Sequence, residues 1–130
     1  MISLDTKLLA CLLLQDDKAQ HARVKALLAK DQVFTAPVSV FLELVWVLEA
    51  NDCSASEIAR GLTLLLGLPN FKPEQTDAVR AAIHHYTQGM EFADGLHLAL
   101  SGASDVFMTF DKAFVRKAGK LGASPGVVAA

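Results

Sequence analysis

Met1-Ile2-Ser3-Leu4-Asp5-Thr6-Lys7-Leu8-Leu9-Ala10-Cys11-Leu12-Leu13-Leu14 opens the chain with a change of period. Met1 to Leu4 reads as a short buried strand, after which Thr6 can cap a helix whose apolar positions, Leu8, Leu9, Leu12 and Leu13, recur at helical spacing. Asp5 then stands at a strand-to-helix corner. The alternation continues downstream. Asp16 and Asp17 open a second helix with Ala22, Leu27 and Leu28 turned inward, Val33 to Ala36 is a second strand, and Pro37 starts a long helix through Ala50. Ser54 and Glu57 have capping-box spacing, which starts a helix at Ala55 that Gly67 and Pro69 end. Pro69 to Lys72 is extended, Pro73 opens a helix toward Gly89, and a shorter helix covers Ala93 to Leu100. Val106 to Thr109 reads as a buried strand, Lys112 to Ala118 as a helix and Gly126 to Val128 as a last strand. Strands alternating with helices imply an α/β chain with a parallel sheet, because right-handed crossovers place helices on its faces. No linker or internal repeat interrupts the pattern, so residues 1–130 are expected to form one domain.

Ligands of open parallel sheets sit beyond the carboxyl ends of the strands, which is where Asp5 and Asp111 fall. Two further acids stand out on helices, Glu43 within Phe41-Leu-Glu43-Leu and Asp94 within Phe92-Ala-Asp94-Gly-Leu. All four are flanked by apolar residues, and an unpaired buried charge costs several kcal/mol. For Glu43 the positions one turn away, Ser39, Val40, Trp46 and Val47, offer no cation. Singly, each acid has an ordinary explanation: a helix cap at Asp5 or Asp111, a helix-start acid at Asp94, an exposed glutamate at position 43. Jointly, they suit a hard divalent cation such as Mg²⁺ or Mn²⁺, which several carboxylates share and which promotes hydrolysis of phosphodiesters. Thr6 and Thr109 lie beside the strand-end acids and could orient a carboxylate or a water. Lys7, Lys112 and Arg116 could steer a phosphate backbone, and His97, one turn from Asp94, suits a supporting hydrogen bond better than metal ligation.

Composition narrows the setting. The net charge of −2, from 12 basic and 14 acidic residues, argues against a protein that holds nucleic acid by bulk charge. Its distribution says more, since every charged residue after Asp111 is basic: Lys112, Arg116, Lys117 and Lys120. A hydrophobic fraction of 52% leaves apolar surface for a second copy or another partner. Cys11 and Cys53 have neither zinc-site nor disulfide spacing. No apolar run reaches the roughly 20 residues of a membrane span, and no signal peptide precedes the first strand. The expected location is the reducing cytoplasm.

Four segments in order, Leu4-Asp5-Thr6, Phe41-Leu-Glu43-Leu, Phe92-Ala-Asp94-Gly-Leu-His97-Leu-Ala99 and Met108-Thr109-Phe-Asp111-Lys-Ala-Phe114, resemble the motifs of PIN-domain ribonucleases. The resemblance is closest to VapC-type toxins of toxin–antitoxin pairs. It implies a three-layer α/β/α fold around a central parallel sheet of four to five short strands. It also implies a Mg²⁺- or Mn²⁺-dependent endoribonuclease that uses a metal-activated water, with Asp5, Glu43, Asp94 and Asp111 holding the metal. A homodimer and a cognate antitoxin protein are the implied partners. One departure is Lys7, where many relatives carry Asn or Ser. The alternative reading is a catalytically idle PIN-like module that acts by binding protein or RNA.

Overall fold

The computed structural model describes residues 1–130 and divides them into two compact units, Met1–Thr76 and Asp77–Ala130. In the first, strand β1 (Ile2–Ser3) leads into helices α1 (Thr6–Leu14) and α2 (Lys18–Leu28). Strand β2 (Phe34–Thr35) follows, then helices α3 (Val38–Ala50) and α4 (Ala55–Leu66). β1 and β2 pair in parallel, Ile2 opposite Phe34 and Ser3 opposite Thr35. Backbone bonds from Ile2 N to the Val33 carbonyl (2.9 Å) and from Leu4 N to that of Thr35 (2.8 Å) flank the pair. On its other side Phe34 forms an isolated parallel bridge with Phe71, so the extended Pro69–Lys72 segment does contribute to pairing. The core of this unit gathers the fully buried Phe34, Phe41 and Phe71 with Leu9, Leu44, Ile58 and Leu62. α4 begins with the expected capping box, Ser54 and Glu57 each accepting the other's backbone N–H.

The second unit contains most of helix α5 (Thr76–Thr87), then helix α6 (Phe92–Leu100), strand β3 (Val106–Thr109), helix α7 (Lys112–Leu121) and strand β4 (Gly126–Ala129). β3 and β4 are parallel over four residue pairs, from Val106 opposite Gly126 to Thr109 opposite Ala129. Met90, Leu98, Phe114 and Ala118 form its core, with Phe107 packed against Phe114 at a ring separation of 5.5 Å. Gly95 of α6 lies against α5 so closely that an added Cβ would stand 3.4 Å from Ala82 Cα and 3.5 Å from the Ala82 carbonyl oxygen. A β-branched side chain has no room there. Gly95→Val is expected to lower stability by about 1–3 kcal/mol in chemical denaturation, the usual cost of overpacking.

The α/β class and the helix order match the sequence reading, but the sheet does not. In place of four to five strands in one central sheet, there are two separate two-stranded parallel pairs. Helix starts crowd the strands: Asp5 caps α1 one residue after Leu4, and Pro37 begins α3 one residue after Ala36, leaving two residues of ladder in each of β1 and β2. The strands are also less buried than expected. Ile2 and Ser3 are exposed, and β3 shows an outward face at Val106 and Met108 and a half-buried one at Phe107 and Thr109. In α2 the buried residue is Val24, with Ala22 exposed.

Candidate metal centre

Asp5, not Thr6, is the N-cap of α1. Its Oδ1 accepts the Thr6 N–H at 2.7 Å, while the Thr6 side chain is buried at 4% exposure. An Asp in extended backbone at a helix start satisfies one orphan N–H and complements the positive end of the dipole. The exposed Asp5 carboxylate keeps its second oxygen unengaged. Lys7 follows, exposed, in the first turn. On α3 the buried residues Val40, Phe41, Leu44, Val45 and Leu48 take one face, which leaves Glu43 on the solvent side with Ser39 and Trp46.

Asp111 repeats the arrangement in the second unit. It caps α7 by accepting the Phe114 N–H on Oδ1 at 3.1 Å, and its own N–H donates to Thr109 Oγ1 at 3.0 Å. The Thr109 hydroxyl therefore fixes the corner that presents the Asp111 carboxylate. Asp94 sits in the first turn of α6, half-buried, and accepts no hydrogen bond. Burial raises its pKa above the ordinary carboxylate range, and the negative charges of Glu91 and Asp111 raise it further. His97 and Lys117 oppose these effects without overcoming them. His97 is exposed, as are Lys112 and Arg116, which lie one turn apart on α7.

Within the second unit the fold thus brings Asp94 and Asp111, about twenty positions apart in sequence, close enough to repel. It adds two residues to this set: Glu91, which shares a helical turn with Asp94, and Lys117, which belongs to the basic run after Asp111 but carried no distinguishing spacing. The expectation that all four acids are buried is corrected. Asp5, Glu43 and Asp111 are exposed, and only Asp94 is half-buried. Apolar neighbours in sequence turn to the opposite side of a helix or corner, so flanking hydrophobicity does not measure burial.

The donor set fits a hard divalent cation in charge: carboxylate oxygens without bonded cations, one of them destabilised by its acidic neighbours. Within neither unit do three or more His, Cys, Asp or Glu side chains gather closely enough to hold a metal ion. A divalent ion would supply Lewis-acid stabilisation of phosphate charge and a more acidic water. Among this chain's own groups, Asp94 and Asp111 would hold it, and the Thr109 hydroxyl and the first turn of α7 would keep Asp111 oriented.

Away from these residues, a groove of about 530 Å³ in the first unit is lined by Leu12, Leu13, His21, Arg60, Leu64 and neighbouring residues of α1, α2 and α4. No helix is long and apolar enough to cross a membrane. A search of curated proteins gives no match. The sequence profile of the PIN domain matches residues 2–120, nearly the whole chain. With that match, the chain belongs to the PIN domain family and carries its nuclease-type fold.

Proposed function

We propose that the protein is a Mg²⁺- or Mn²⁺-dependent endoribonuclease whose metal is held by Asp5, Glu43, Asp94 and Asp111. Thr6, Thr109 and His97 support these acids, and Lys7, Lys112 and Arg116 steer the RNA backbone. The observation that carries this reading is Asp94, a half-buried carboxylate pushed toward its neutral form by Glu91 and Asp111, with no hydrogen bond to offset the cost. Such a group is relieved by a cation and is a poor choice for folding alone. The biological role we propose is the toxin of a type II toxin–antitoxin pair, acting in the cytoplasm as a homodimer that a cognate antitoxin inhibits. Motif resemblance supports this role, and the apolar groove along α1, α2 and α4 offers a place for a partner helix.

The test uses purified protein with unstructured RNA in Mn²⁺ or Mg²⁺, with and without EDTA, beside a calorimetric Mn²⁺ titration. Cleavage that needs the metal, and saturable Mn²⁺ binding that Asp111→Asn weakens by about tenfold or more, are the expected results. Absence of divalent binding would replace the enzyme with the idle binding module. For the biological role, induced expression should arrest bacterial growth, and a small protein encoded next to this gene should relieve the arrest.

A further inference from the structure

β3 alternates cleanly, with Phe107 and Thr109 turned inward and Val106, Met108 and Phe110 turned outward. Exposure rises along the outward series, from 48% at Val106 to 63% at Met108 and 89% at Phe110, the highest of any large apolar side chain here. Phe110 is not a loose loop residue. The bond from Asp111 N to Thr109 Oγ1 spans it, and Asp111 caps the helix that follows. The chain therefore holds a bare phenyl ring in water at a braced corner, next to a carboxylate that repels Asp94.

What surrounds that ring points to its occupant. Lys112 and Arg116 are exposed on the first turns of α7, and no acidic residue follows Asp111. Phe110-Asp111-Lys112 thus places a π-face, a candidate metal ligand and a cation at consecutive positions. Sequence-tolerant binding of single strands uses this combination, aromatic faces for the bases and cations for the backbone. A protein partner would be drawn to the whole Val106–Met108–Phe110 stripe. An unpaired base needs only the ring beside the acid and the cations.

We propose that Phe110 stacks an unpaired base of the substrate beside the phosphate to be cut, so that the enzyme selects single-stranded over paired segments. The proposal rests on the ribonuclease reading and deepens it. Stacking requires a base free of its own helix, so duplex RNA forfeits the contact.

Two arms test it. For binding, Trp46, the only tryptophan, is replaced in a Trp46→Phe/Phe110→Trp protein, which leaves one indole at the corner. In EDTA, where no cleavage occurs, a short oligouridylate should quench its emission saturably, and the same strand annealed to oligoadenylate should bind about tenfold more weakly. For turnover, Phe110→Ala should raise KM for unstructured RNA about tenfold with kcat nearly unchanged, while Phe110→Tyr restores KM and Met108→Ser leaves it alone. Unchanged emission at saturating oligonucleotide, or an unchanged KM in Phe110→Ala, overturns the stacking role. A shift in oligomeric state in both Phe110→Ala and Met108→Ser also overturns it, by assigning the stripe to a second copy of the chain. Failure of the wild type to cleave any RNA counts against the ribonuclease reading, while the quenching arm still decides Phe110.

Discussion

An Asp94→Asn protein is expected to lose RNA cleavage by about a hundredfold or more while remaining folded, the scale at which removing one charge-stabilising group reduces turnover. Asparagine keeps the shape and removes the charge that Glu91 and Asp111 oppose. Without metal, that charge is a burden on the fold. The pKa of Asp94 is raised in the native state, so its stabilising contribution is fully present below the unfolded value and disappears as pH rises through the native one. Metal-free protein should therefore gain stability from this residue on mild acidification, and Asp94→Asn should lack that part of the pH dependence and melt no lower than the parent near neutrality. Adding Mn²⁺ should raise the melting temperature of the parent and do so less for the variant, since a ligand that binds only the native state stabilises it by mass action. Retained activity in Asp94→Asn, or an unaltered response to Mn²⁺, would remove this carboxylate from the proposed site.

The largest effect on folding is expected at Phe41. It is fully buried, with its ring 6.4 Å from that of Phe71, the residue bridged to β2. Phe41→Ala should cost about 3–5 kcal/mol, because lost transfer free energy and the cavity left behind add together. Against a total of about 5–15 kcal/mol for a typical protein, that leaves little margin. α3 carries Phe41 on its buried face and Glu43 on its exposed face, so local loosening would also displace the glutamate. Urea denaturation of Phe41→Ala and Phe41→Leu checks this, with the leucine variant recovering much of the loss. A change below about 1 kcal/mol in Phe41→Ala would mean that α3 does not anchor this core.

Helices were legible in the sequence because their signals are local. The capping box at Ser54 and Glu57, Pro37 before α3 and the acids at 16 and 17 all lie at or next to observed helix starts, and Asp17 caps α2. At α1 the cap falls one residue earlier than expected, on Asp5, since a carboxylate there can reach the first free N–H. Strand burial was not legible, because exposure depends on what covers each face, and Val106 and Met108 look the same in sequence whether covered or bare. The acids show the same division. Their positions at corners and on helices could be read, and so could the turn shared by Glu91 and Asp94. The approach of Asp111 and Lys117 to Asp94 depends on how α6 and the β3–α7 corner fold together, which no spacing encodes.

Asp5 and Asp111 each divide their labour between two oxygens, one closing a helix and the other left bare. Asparagine retains the closing oxygen and is an equally good starter of helices, whereas alanine deletes both functions at once. At these corners an amide exchange is therefore a clean subtraction of charge, and an inactive alanine protein would leave chemistry and architecture confounded.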